Sequence, residues 1–176
     1  MILTRLSSEN DNMFSTARGL YEKSFPLHEQ RQIDSQKEIL KCEEYHFDLI
    51  HDEDRFIGIL LSWETRNFIY VEHFCITPEI RNKGYGQKTL DLLNSKGKTV
   101  ILEIDPPTDE IALKRKSFYE RAGYQANAMR HIHPPYDRRN TGHALTVMSY
   151  PHLLSRDEYD KFDLYLKNQV MKTEQR

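Results

Sequence analysis

The stretch Arg81-Asn82-Lys83-Gly84-Tyr85-Gly86-Gln87 holds the residue types best suited to grip an anion. Glycine tolerates positive φ and lets the backbone approach a ligand closely. Successive backbone N–H groups at the start of a helix form a ready anion site. Arg81 and Lys83 add positive charge, and Lys88 lies about one turn further on. The chemistry expected here is capture of a phosphate or pyrophosphate. The dinucleotide fingerprint G-x-G-x-x-G would need glycine at position 89, where Thr89 stands. The P-loop pattern also fails: Leu92 stands at its first glycine, and a strand rather than a helix follows Gly97-Lys98-Thr99. For two glycines alone, a plain turn is an equal reading.

A second group is His131-x-His133, two imidazoles on one face of a strand, with His143 opposite across a hairpin. Three such ligands would suit zinc in a metal-assisted hydrolase. No carboxylate is clearly placed beside them, so no metal is expected. Cys75 has no evident adjacent base, and a buried, inert thiol is the expectation.

These residues need elements to position them. Ile2–Leu6 reads as a short strand. A helix with Ser7, Ser8 or Asn10 as cap runs to about Phe25, where Pro26 stops it. A second helix is expected over residues 34–42. Residues 45–51 and 55–63 pair as a hairpin, and Phe68–Ile76 follows as a strand stopped by Pro78. A helix opens at the glycine turn and ends at Gly97. Thr99–Ile104 is a nearly continuous apolar run, as in a buried strand. Thr108 or Asp109 caps a helix whose Ile111, Arg115, Phe118 and Ala122 share one face. Residues 124–132 and His143–Tyr150 read as the last strands, and Ser155-x-x-Glu158 is a capping box for a final amphipathic helix. This order predicts an α/β or α+β fold with a mixed sheet.

Composition excludes several function classes. Across 176 residues, 25 Lys and Arg face 27 Asp and Glu, a net charge of −2 that gives no hold on nucleic acid or an anionic membrane. The longest apolar run, residues 56–61, falls far short of the ~20 residues of a membrane span. Ten Tyr and eight Phe are too many for a typical disordered chain. Two separated cysteines and no secretory apolar stretch point to one domain in the cytoplasm.

Two motifs together resemble the GCN5-related N-acetyltransferase (GNAT) superfamily. Arg81-x-x-Gly84-x-Gly86 matches its signature [RQ]-x-x-G-x-[GA], and Ile76-Thr77-Pro78 precedes it with Ile in place of the usual Val. Phe118-Tyr119-Glu120-Arg121-Ala122-Gly123-Tyr124 matches a second family block. The likeness is firm over residues 68–124 and looser at both ends.

The resemblance implies one acetyltransferase domain over residues 1–176, and the capping box sets the last helix over 155–173. Its mostly antiparallel, twisted sheet would be flanked by helices and splayed at the central strands. The co-substrate would be acetyl-CoA, and the acceptor a primary amine of a small molecule or peptide, by direct transfer in a ternary complex. Phe74, Cys75 and Ile76 would pair with the pantetheine arm. The amides of Lys83–Gln87, in a turn also lined by Arg81 and Asn82, would hold the pyrophosphate, with Arg115 within reach of a phosphate. Glu72 would be the general base and Tyr119 the general acid. Period-two alternation would put Tyr70, Glu72, Phe74 and Ile76 on one face and His73 on the other. His28, Glu29, Arg31 and Tyr136 are the expected acceptor-side residues. A non-catalytic acetyl-CoA-binding module is the rival reading, and the protein would be a monomer or homodimer.

Overall fold

The computed structural model describes residues 1–174. Its strands are β1 (Ile2–Leu6), β2 (Tyr45–Asp52), β3 (Arg55–Glu64), β4 (Phe68–Ile76), β5 (Thr99–Ile104), β6 (Gln125–Ala126), β7 (His131–His133) and β8 (His143–Tyr150). The helices are α1 (Phe14–Ser24), α2 (Ile33–Ile39), α3 (Tyr85–Asn94), α4 (Glu110–Arg121) and α5 (Arg156–Tyr165). The sheet runs β1-β2-β3-β4-β5-β8-β6, with β7 also paired to β8. Among the described residues only β4 and β5 are parallel; the other pairs are antiparallel.

The sheet is buried on both faces. Phe14, Ala17 and Tyr21 of α1, Ile39 of α2 and Phe162 of α5 cover one face, over Phe47, Leu61, Trp63 and Tyr70. Leu90 and Leu93 of α3 and Tyr119 of α4 cover the other, over Leu60, Val71, Val100 and Leu102. The apolar run of β5 reflects this double burial.

Two irregularities matter for function. The first is where β4 and β5 part. They pair from Phe68 with Thr99 to Val71 with Leu102, and no further. From Glu72 onward that edge of β4 is open. The second is a bulge: Ser62 pairs with Val71, but Leu61 pairs with His73, so Glu72 is an extra residue. A bulge breaks the two-residue alternation. Tyr70 and Cys75 therefore pack on the α1 side, while Val71, Phe74 and Ile76 pack on the α3 side. This overturns the expectation that Tyr70, Phe74 and Ile76 share a face.

Three other expectations change. Helix α1 starts at Phe14, with Met13 before it and no side-chain cap from Ser7, Ser8 or Asn10. Residues 124–132 split into β6 and β7, because Asn127 turns inward to Val147 O, Ser149 Oγ and Leu154 N. Ile111 is 73% exposed, so the buried side of α4 is Ala112 and Tyr119 rather than Ile111. Among the expected caps, Asp109 accepts from the amides of Ile111 and Ala112, and Ser155 and Glu158 form the capping box.

Candidate active site

The parting of β4 and β5 opens into a cavity of about 1220 Å³. One end is the glycine turn; the other is walled by the loop after α1 and by β7 and β8. Glu72, His73, Phe74, Cys75 and Ile76 line it from β4, Glu103 and Asp105 from β5 and the residue after it, and Arg115 and Tyr119 from α4. Glu29, His133, Tyr136 and His143 line the far end.

The glycine turn has the form its sequence demands. Asn82 and Gly84 take positive φ, 63° and 81°. A Cβ on Gly84 would stand in open space, so the backbone there is bare to an incoming ligand. The first amide of α3 to find a carbonyl is Lys88, on Gly84. Among the described residues, the amides of Tyr85, Gly86 and Gln87 precede that bond and face out of the helix end. The positive end of the helix dipole lies there as well. Arg81 Nε donates to Ile76 O at 3.1 Å, tying the turn to the end of β4. A Cβ on Gly86 would meet Phe118 Cζ at 3.0 Å, which sets how closely α4 approaches. These features fit a pyrophosphate next to an open strand edge. Arg115 lines the same cavity, although its guanidinium pairs with Asp105 at 2.7 Å.

Tyr119 lies at the cavity wall, its ring against Phe118 and Tyr124. Burial pushes its phenol up to about 12, only partly offset by Arg115, so it keeps its proton over the working pH range.

Glu72 is held differently from a free base. Its Oε1 accepts from Arg31 Nε at 3.0 Å and from Tyr136 Oη at 2.9 Å, and lies 2.8 Å from Arg31 Nη2 in an ion pair; Oε2 accepts from Trp63 Nε1 at 2.8 Å. Burial pushes its pKa up, but Arg31, His73, Trp63 and Tyr136 outweigh it and hold it below the usual carboxylate range. A carboxylate so paired is a poor proton acceptor. The geometry makes Glu72 an anchor for the β4 bulge, against the expectation that it takes the amine proton.

Arg31 is also corrected. It is 1% exposed, and beyond Glu72 its guanidinium donates to Thr173 Oγ1, Glu174 Oε1 and Val170 O. No nitrogen is left for a substrate. The Tyr136 hydroxyl is likewise spent on Glu72, leaving its ring as a wall. Glu29 lines the far end, and His28, paired with it at 3.6 Å, keeps a mostly exposed side chain. Burial, more than any neighbour, raises the Glu29 pKa.

Two further groups line the site: His73, expected on the opposite face of β4 from Glu72, and Glu103, which the sequence analysis did not single out. His73 turns into the site because of the bulge; its Nε2–H donates to Glu29 O at 2.9 Å, and Nδ1 is buried without a partner among the described residues. Glu103 is buried at the cavity wall, where it accepts from Tyr70 Oη at 2.5 Å and from His131 Nε2. An acid inside the apolar run of β5 was the legible signal for it. Both ring nitrogens of His131 are occupied, by Glu103 and Tyr159. No three His, Cys, Asp or Glu among the described residues are grouped to hold a metal.

Comparison with known proteins agrees with this geometry. The Acetyltransferase (GNAT) family profile matches residues 11–124. The chain is 29% identical over 110 residues to YjbC of Bacillus subtilis strain 168, provisionally named an acetyltransferase. That match takes in 60% of this chain and 56% of YjbC, so the chain aligns with little more than half of that relative. A solved structure from Bacteroides thetaiotaomicron, provisionally described as a GNAT-family acetyltransferase, superposes with TM-score 0.91 and 27% identity over 97% of this chain and 98% of that one. An aminoglycoside 6'-N-acetyltransferase solved with coenzyme A shares the fold at TM-score 0.55 and 14% identity, over 85% of this chain and 96% of that one. The open, mostly antiparallel sheet flanked by helices matches those structures, and the chain belongs to the GNAT acetyltransferase family.

Proposed function

We propose that this protein transfers an acetyl group from acetyl-CoA to a primary amine of a small molecule or peptide, directly, in a ternary complex. One observation carries the reading: the open edge of β4 and the unpaired amides of α3 border one continuous cavity. A pyrophosphate on Lys83–Gln87 would lay the pantetheine arm along Phe74, Cys75 and Ile76. A β4 amide there would stabilise the oxyanion that develops on the thioester carbonyl. Tyr119, neutral and at the wall, would protonate the leaving sulfur. Cys75 takes no covalent part: burial raises its thiol pKa, and a thiol nucleophile needs the opposite.

The acceptor would enter past Glu29, His28 and the ring of Tyr136. The free thiols Cys42 and Cys75 suit a reducing cytoplasm. No helix among the described residues is long and apolar enough to cross a membrane. Calorimetric titration with acetyl-CoA, with NADH as control, tests the donor. Saturable binding of acetyl-CoA alone is expected, and no binding would overturn the reading. Release of CoA thiol on adding amines then separates an enzyme from a binding module.

A further inference from the structure

We propose that His133, backed by Glu103, is the group that takes the proton from the acceptor amine. The inference rests on the acetyl-transfer reading and deepens it.

A general base needs an unshared lone pair on a residue that lines the cavity, and a neighbour that stabilises the protonated form. Glu72 is a poor candidate, because its carboxylate is fully buried and Arg31, Trp63 and Tyr136 donate to its oxygens and stabilise the anion. His73 has an unshared Nδ1, but burial first, with Arg31 and His133 adding, lowers its pKa to about 4, which makes it a weak base.

His133 meets both conditions. Its Nδ1 lies 2.6 Å from Pro134 O. A carbonyl oxygen only accepts, so Nδ1 carries the proton and Nε2 carries the lone pair. That Nε2 lies 3.8 Å from Glu103 Oε2, near enough for an ion pair once protonated and too far for a hydrogen bond that would occupy it now. Glu103 is ready for that role. Burial raises its pKa, but the His133 imidazolium, once formed, together with His131 and the Tyr70 hydroxyl, outweighs burial and lowers it. Tyr136 stacks on the His133 ring at 5.2 Å between centroids, fixing its plane. The other charged or titratable groups around the ring come from every neighbouring element: His143 on β8 with ring centroids 5.9 Å apart, Glu29 on the loop after α1, and His73 on β4. All four residues line the one cavity.

The ammonium form of the acceptor gives one proton to His133 Nε2, and the imidazolium pairs with Glu103. The free amine forms a C–N bond to the thioester carbon, and the C–S bond breaks. The nitrogen sheds its second excess proton, which ends on sulfur through Tyr119. His133 returns its own proton to water.

Three readouts test this. Ring-nitrogen NMR needs no acceptor: at neutral pH it should find His133 protonated on Nδ1 and bare on Nε2. A proton resident on Nε2 at neutral pH would overturn the proposal. Thiol release is then followed against pH with ethanolamine, spermidine and a pentapeptide bearing a free N-terminus. With any of them turned over, H133Q should lose about 10²-fold or more in kcat and the acid limb of the profile, and added imidazole should partly restore H133A. Wild-type kcat with the acid limb intact in H133Q would overturn it. If none is turned over, the NMR result alone decides. Acetyl-CoA calorimetry on each variant reports folding and separates the two readings: failure of the wild type to bind defeats acetyl transfer itself, whereas binding with unchanged H133Q turnover defeats only His133.

Discussion

Arg31 and Glu72 lie 41 residues apart in sequence and meet in the interior, two guanidinium nitrogens converging on one carboxylate oxygen at 2.8 and 3.0 Å. The same guanidinium reaches Glu174 and the Val170 carbonyl, so one side chain ties the β4 bulge to the π-helical stretch Leu166–Val170 and the turn that follows it. Replacing Arg31 by Met leaves two buried carboxylates without their cation. Breaking a buried pair from one side costs about 3–5 kcal/mol. Urea unfolding of R31M at neutral pH should show a loss of that order; a loss below about 1 kcal/mol would mean that the ion pair is not what holds the bulge.

Glu72 gives the pair a pH signature. Its folded pKa lies below the ordinary carboxylate value, so the stability it contributes is present above that value and disappears as pH falls through the folded pKa. Wild type should exceed E72Q in stability at neutral pH, and the gap should close in acid. The turnover profile of E72Q should keep the shape of the wild type, because a carboxylate already anchored removes no proton from the acceptor. A lost acid limb in E72Q would restore Glu72 as the base.

Gly84 sits at φ 81° with open space where a side chain would project. Glu in its place would put a carboxylate beside the amides of α3 and strain the backbone at positive φ. Acetyl-CoA binding to G84E should vanish in calorimetry while the thermal transition persists. G84A, which carries the strain without the charge, should bind with reduced affinity. Equal affinity in G84E and wild type would remove the turn from the phosphate site.

Tyr119→Phe tests the leaving-group end. The phenol, raised to about 12, stays protonated wherever the enzyme is assayed, so its loss should lower kcat at all pH values without reshaping the profile. A drop of about 10²-fold fits a general acid, with acetyl-CoA affinity unchanged. An unchanged kcat would leave Tyr119 as packing against Phe118 and Tyr124.

Much of the frame was legible because it is local. The strand run, Gly84, Asp109 and the Ser155–Glu158 box act within a few residues, and the structure shows each in place. The two family motifs found the glycine turn and the helix of Tyr119. What failed was non-local. The extra residue at Glu72 depends on how β3 lies against β4, and that shift alone moves His73 into the site. Arg31 looked like a surface substrate residue, since its partners Glu72 and Glu174 are 41 and 143 residues away. Residues 124–132 scan as one strand until Asn127 finds its buried partners.

His73 supplies the clearest pH test of stability. It is buried against Tyr21, Phe25 and Tyr136, and burial lowers its pKa to about 4. The unfolded chain binds a proton at this residue below about pH 6.5, whereas the folded chain does so only near 4. Between those values the unfolded state holds more protons, so stability should fall as pH drops. Asp48 works in the opposite sense over part of this range: burial lifts it to about 6, so the folded state holds the extra proton there. The net slope of the wild type therefore mixes the two, and the difference between wild type and H73F isolates His73. Phe keeps the ring contacts and gives up only the bond to Glu29 O, because Nδ1 has no partner to lose. Urea midpoints at a series of pH values should show H73F losing less stability than wild type between pH 6.5 and 4. The two should run parallel above pH 7, and parallel lines throughout would mean that His73 titrates in the fold as it does unfolded.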